Sequence, residues 1–133
     1  MNHIKSLIIL LVVFTTATSL AQKENTQKIQ GCWVFKKMVA PASANIPQES
    51  MPPADSITVC FEANGKYTST MANNTAPITG QYQISEDGKT ITQQRDIQEE
   101  YTFDEDATIE FTSENSVILK LEYAHLYFER KLK

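Results

Sequence analysis

The chain has 133 residues, 41% of them apolar, with 12 Lys or Arg against 16 Asp or Glu, for a net charge of −4 at pH 7. That length suits one domain, and the acidic balance argues against nucleic acid or an anionic membrane as partner, since both demand clustered basic side chains to neutralise phosphate. Two cysteines, two histidines and four scattered glycines fall short of a four-ligand zinc set and of a glycine-rich phosphate loop, so neither metal nor cofactor is expected.

The first segment reads as an export signal. A basic start ends at Lys5, an apolar run extends from Leu7 to Phe14, and a small polar stretch closes on Ser19, Leu20 and Ala21. This is the order of a cleavable secretory signal. The apolar run is about eight residues, whereas a membrane anchor needs about 18. We expect a signal peptide helix over residues 1–21 with cleavage after Ala21, a domain over 22–133, and a secreted or periplasmic product. Ile29-Gln30-Gly31-Cys32 loosely resembles a lipid-attachment box, but the charged segment Lys23 to Lys28 separates it from the apolar run, so no lipid anchor is expected.

Beyond the signal, short alternating runs are separated by turn signals, and no helical apolar period is sustained. Strands are predicted over Gly31–Val39, Ser56–Glu62, Lys66–Met71, Thr79–Ser85, Lys89–Gln94, Tyr101–Thr112, Ser116–Glu122 and His125–Lys131. Asn64-Gly65 and Asp87-Gly88 are hairpin signals. An antiparallel sheet closes on itself with an even strand count, and reading Asp104 to Asp106 as a bulge keeps eight. The expected fold is an all-β, eight-stranded antiparallel up-and-down barrel; a β-sandwich of the same strands is the alternative. The acidic residues Glu99, Glu100, Asp104, Glu105 and Asp106 read as a solvated face, because they lack the alternating ligands and turn glycine of a calcium loop.

The first two strands offer an internal check. With Cys32 opposite Cys60, the same register sets Trp33 against Val59 and Phe35 against Ile57, which puts the apolar residues on one face and the cysteines on the other. In an exported chain this pair reads as a disulfide, worth about 3.6 kcal/mol on the chain-entropy account of a 29-residue ring. The excursion from Val39 to Asp55 carries four of the five prolines, with Ile46 and Met51. It is too long for a hairpin, and reads either as a lid over a barrel mouth or as a cap on the core.

Gly31-Cys32-Trp33 on the first strand, the long first loop, the Asn-Gly turn between Phe61 and Tyr67, Gly80-Gln81-Tyr82, and the closing Tyr127-Phe128-Glu129-Arg130-Lys131 together resemble the lipocalin-like domains of bacterial exported proteins. The resemblance implies a ligand-binding barrel whose Trp33 stacks under Arg130 to close the floor. An indole face is the best aromatic partner for a guanidinium, which supports that pairing on physical grounds. The alternative role for Arg130 is counterion to an anionic ligand within the barrel.

No catalytic residue is expected. His3 leaves with the signal, His125 sits beside an apparent tight turn, and no nucleophile motif is present. Phe35, Tyr67, Tyr82 and Tyr101 are the candidate ligand-binding residues, since buried phenol hydroxyls need partners that a pocket can provide. The expected function is therefore a monomeric, non-catalytic carrier of one small hydrophobic or amphipathic ligand. The alternative is an interaction module with a filled core, acting as an inhibitor or envelope-assembly factor. Asp55-Ser56-Ile57 also resembles a tripeptide that some bacteria O-glycosylate, and Ser56 at a strand start has a sufficient structural role.

Overall fold

The computed structural model describes residues 20–72, 76–96 and 105–132, so the expected signal up to residue 19 lies outside the described residues. A helix, α1 (residues 20–29), leads into eight strands that follow one another around a closed antiparallel barrel. They are β1 (Gly31–Val39), β2 (Ile57–Phe61), β3 (Lys66–Met71), β4 (Ile78–Ile84), β5 (Thr90–Arg95), β6 (Glu105–Ser113), β7 (Ser116–Lys120) and β8 (His125–Arg130). Each pairs with its sequence neighbour, and β1 pairs with β8 to close the ring.

The first hairpin has the expected register, with Cys32 opposite Cys60 and Trp33 opposite Val59. Its ladder stops at Val34 and Thr58, short of the anticipated Phe35–Ile57 pair, because the Phe35 carbonyl accepts the Asp55 N–H instead. The faces are nevertheless as anticipated: Trp33, Phe35, Val59 and Phe61 are buried inside, and Cys32 and Cys60 form a disulfide on the outer face.

Bulges stand elsewhere than the acidic patch suggested. Glu105 and Asp106 pair regularly with Gln93 and Thr92, and Asp104 lies outside the described residues. One shift falls between Phe35 and Lys37 in the β1–β8 ladder, and another between Phe111 and Ser113. The first has a clear consequence. Strict alternation from Phe35 would send Lys37 inward and Met38 outward; with Lys36 as the extra residue, Lys37 lies outside over Tyr127 and Met38 enters the interior.

The two ends of the barrel differ in their connections. At one end lie the short turns 62–65, 85–89 and 114–115, including both predicted Gly hairpins. In the 85–89 turn, the Ser85 hydroxyl and Lys89 N–H both donate to the Asp87 carboxylate, which holds that carboxyl below its ordinary range. At the other end lie loop 40–56 and the turn 121–124, together with the last residues of β3 and β5 and the first of β4 and β6. Loop 40–56 is organised by two 3₁₀ turns, Ala42–Ala44 and Gln48–Ser50, and Lys36 holds its far end through Asp55 at 2.7 Å.

Helix α1 covers the short-turn end, and the sequence pattern did not announce it. Its inward positions are Ala21, Gln22, Asn25, Thr26 and Ile29, only one of which is a large apolar residue. It docks chiefly through polar groups: Gln22 Nε2 donates to the Ile84 carbonyl at 2.7 Å, and Asn25 Nδ2 to the Gly88 carbonyl at 2.6 Å. A Glu24–Lys28 ion pair one turn apart supports its outer face.

Candidate functional site

Within the barrel is a cavity of about 310 Å³. Its lower wall is Ile29, Trp33 and Phe61; Phe35, Val117 and Phe128 line its middle; Met38, Pro52, Met71, Ile78 and Tyr123 stand around its top. Met71 is 37% exposed and Tyr123 51% exposed, so the cavity reaches solvent at the long-loop end, which is the mouth.

The floor is where Trp33 and Arg130 meet. The Arg130 Cζ lies 4.3 Å from the centroid of the Trp33 ring, and the two residues are cross-strand partners in the β1–β8 ladder. The last carbonyls of a helix lack intrahelical donors and carry partial negative charge, so donors and cations are stabilising there. Trp33 Nε1 donates to the Ile29 carbonyl at 2.7 Å, Arg130 Nη1 to Gln30 at 2.8 Å and Arg130 Nη2 to Lys28 at 2.9 Å. Trp33 and Arg130 thus cap the C-terminus of α1 and fasten it across the floor. The glycine of the first-strand motif has a reason here too: Gly31 has φ +112°, and a Cβ on it would stand 2.8 Å from Arg130 Nη1. Arg130 lies outside the cavity lining, so the alternative role as an internal counterion is corrected: its guanidinium is already engaged with the helix end.

The candidate ligand-binding residues separate. Phe35 and Tyr67 line the cavity. Tyr82 is buried but does not line it; its hydroxyl donates to the Glu62 carbonyl, and its ring meets Phe61 edge-on at 5.0 Å, next to the short-turn end. Burial, and then the nearby Glu62 carboxylate, push its phenol above the ordinary tyrosine value. Tyr101 lies outside the described residues. Among the described side chains of loop 40–56, Pro52 alone lines the cavity; Ile46 and Met51 are half-buried and contribute nothing to the lining. His125 is exposed at the start of β8.

Sequence reasoning missed the polar members of the wall, Ser69, Gln93 and Arg95. The signal was present in the period of β5: with Ile91 buried, Gln93 and Arg95 share its face. The pairing row Phe61–Tyr67–Gly80–Arg95 crosses β2 to β5 on that inner face. Strand tilt makes such a row climb, here from the floor at Phe61 to the mouth at Arg95. Gly80 leaves a gap in the row that the Tyr67 ring fills; a Cβ there would come within 2.6 Å of Tyr67 Cε1.

Among solved structures the chain is similar to a lipocalin-like protein from Bacteroides uniformis, with a TM-score of 0.61 and 14% identity, covering 78% of this chain and 99% of that one. The barrel is lipocalin-like. A protein from Bacteroides eggerthii is similar at TM-score 0.59 and 13% identity, over 77% of this chain and 99% of that one. A DUF4847 family protein from Bacteroides vulgatus gives TM-score 0.53 and 14% identity, over 79% and 95%. At such identities the likeness is one of fold. No protein-family model and no curated protein matches the chain. No helix among the described residues is long and apolar enough to cross a membrane.

Proposed function

We propose that this lipocalin-like barrel is an exported, monomeric, non-catalytic carrier that holds one small apolar or amphipathic molecule inside the barrel. The observation that carries the reading is the cavity of about 310 Å³, lined mainly by aliphatic and aromatic side chains and open at one end. A filled core would instead have supported an interaction module, and small-ligand pockets begin at about 300 Å³. The Cys32–Cys60 disulfide fits an oxidising compartment, in keeping with the signal-like first 21 residues.

Native mass spectrometry of the protein isolated from its own host tests this directly. The expected spectrum contains the chain with one small-molecule adduct, released on mild activation. Repeated recovery of ligand-free protein together with a co-purifying protein would overturn the carrier reading. One observation favours that second reading: Val39, Met71 and Tyr123, all exposed, bring apolar surface to the mouth. Such a rim suits a protein partner as well as an entering ligand.

A further inference from the structure

The wall of the cavity is chemically two-sided. Phe35 and Met38 of β1, Val117 and Leu119 of β7, and Leu126 and Phe128 of β8 make one side wholly apolar. The facing side carries Ser69 on β3 with Gln93 and Arg95 on β5. Among the described residues, Arg95 is the one Lys or Arg that lines the cavity. Lys36 pairs with Asp55, Lys120 with Glu110, and Arg130 is bound to helix-end carbonyls, all away from that lining. The Arg95 side chain makes no hydrogen bond or ion pair with any described group, although it borders an apolar cavity.

A guanidinium offers a planar fork of donors that matches a carboxylate or another oxyanion. Placed at a mouth above an apolar shaft, it selects a molecule whose anionic head stays near solvent while its tail goes down. A neutral molecule gains nothing from that charge, and a cation is repelled. The dimensions favour one narrow chain. From Trp33 to Met38, which both line the cavity, is five residues along β1, one of them the bulged Lys36 that does not advance the strand. At about 3.3 Å per residue and a tilt of about 40°, that is a depth of about 10 Å.

We infer that the cavity accepts a single-chain amphiphile with an anionic head, the head at Arg95 and Gln93 and the tail reaching toward Trp33 and Ile29. This rests on the carrier reading and adds to it the charge and orientation of the cargo. The attraction is local, because the chain as a whole carries a net charge of −4. It is therefore assigned to Arg95 and not to the protein's overall field.

The test is displacement of N-phenylnaphthylamine from the disulfide-bonded protein by decanoate, decanol and decyltrimethylammonium at neutral pH, below their self-association. Decanoate is expected to displace the reporter at about ten-fold lower concentration than decanol, a gain kept modest by the exposure of Arg95, with decyltrimethylammonium weakest. Arg95→Leu should abolish the preference for decanoate over decanol, and Arg95→Lys should keep part of it. Decanol competing as well as decanoate, or a decanoate preference that survives Arg95→Leu, would overturn the anionic assignment and leave the carrier reading standing. Failure of the reporter and all three amphiphiles to bind would overturn both.

Discussion

The two ends of this barrel are built on opposite principles. At the floor, short turns, a helix and the Trp33–Arg130 pair close off the barrel interior, and the carbonyls of Lys28, Ile29 and Gln30 have protein donors. At the mouth stand the exposed apolar side chains of Val39, Met71 and Tyr123 and a cation without a described partner. The contrast teaches where stability and selectivity reside. Buried, mutually paired groups at the floor define the shape, and the mouth is free to vary because little of the core depends on it.

Changes at the floor should therefore reduce stability most. Trp33→Ala is expected to cost about 3–5 kcal/mol in denaturant unfolding, since it removes a side chain that is 1% exposed and frees both Arg130 and the Ile29 carbonyl. A loss below about 1 kcal/mol would mean that the floor is not the stable end. Replacing both Cys32 and Cys60 by Ala should cost about 2–4 kcal/mol, read as a lower unfolding midpoint that is insensitive to added reductant. Arg130→Gln removes the stacked cation and part of the helix cap, and about 1–3 kcal/mol should go with them. Amide exchange in residues 22–29 should accelerate more than exchange in β6, because the helix is what Arg130 holds.

Alkaline titration separates the ends by a smaller effect. The folded state holds the Tyr82 phenol above its ordinary value of 10.0, so its contribution is fully present below that pH. The contribution is lost as pH rises from there through the folded value, because the unfolded chain ionises first. Tyr82→Phe should flatten the alkaline limb of a stability–pH curve, and an unchanged limb would assign it to other groups. Smallest of all, Met71→Ser with Tyr123→Ser should alter stability by no more than about 0.5 kcal/mol, as expected for exposed positions. The same pair should speed exchange of bound N-phenylnaphthylamine if the rim guards the entrance. A large stability loss would show that the rim belongs to the core.

The strand pattern was legible because period two is local. β1 and β3 have the bounds read from the sequence, and β4 and β5 differ by one residue at each end. The Cys32–Cys60 register was legible because two cysteines and two apolar pairs agreed on it. Helix α1 was not, since its inward face is mostly polar and its partners Ile84 and Gly88 lie about sixty residues away. The cavity lining was read in part. Phe35 and Tyr67 could be assigned from alternation, but alternation gives the face of a residue and not its height within a barrel. That is why Tyr82, facing inward like Tyr67, lies against the Glu62 end, while Arg95 reaches the cavity.

By itself, then, the sequence determined the strand order, the inward and outward faces apart from Lys37 and Met38, the closing count of eight and the disulfide. Each follows from short-range periodicity and turn chemistry. Only the tertiary structure decided which end was sealed, which inward residues met the cavity and which cation was left at its mouth. Those depend on strand tilt, on the bulge at Lys36 and on the docking of α1, which are set when the sheet closes and not by any local run of residues.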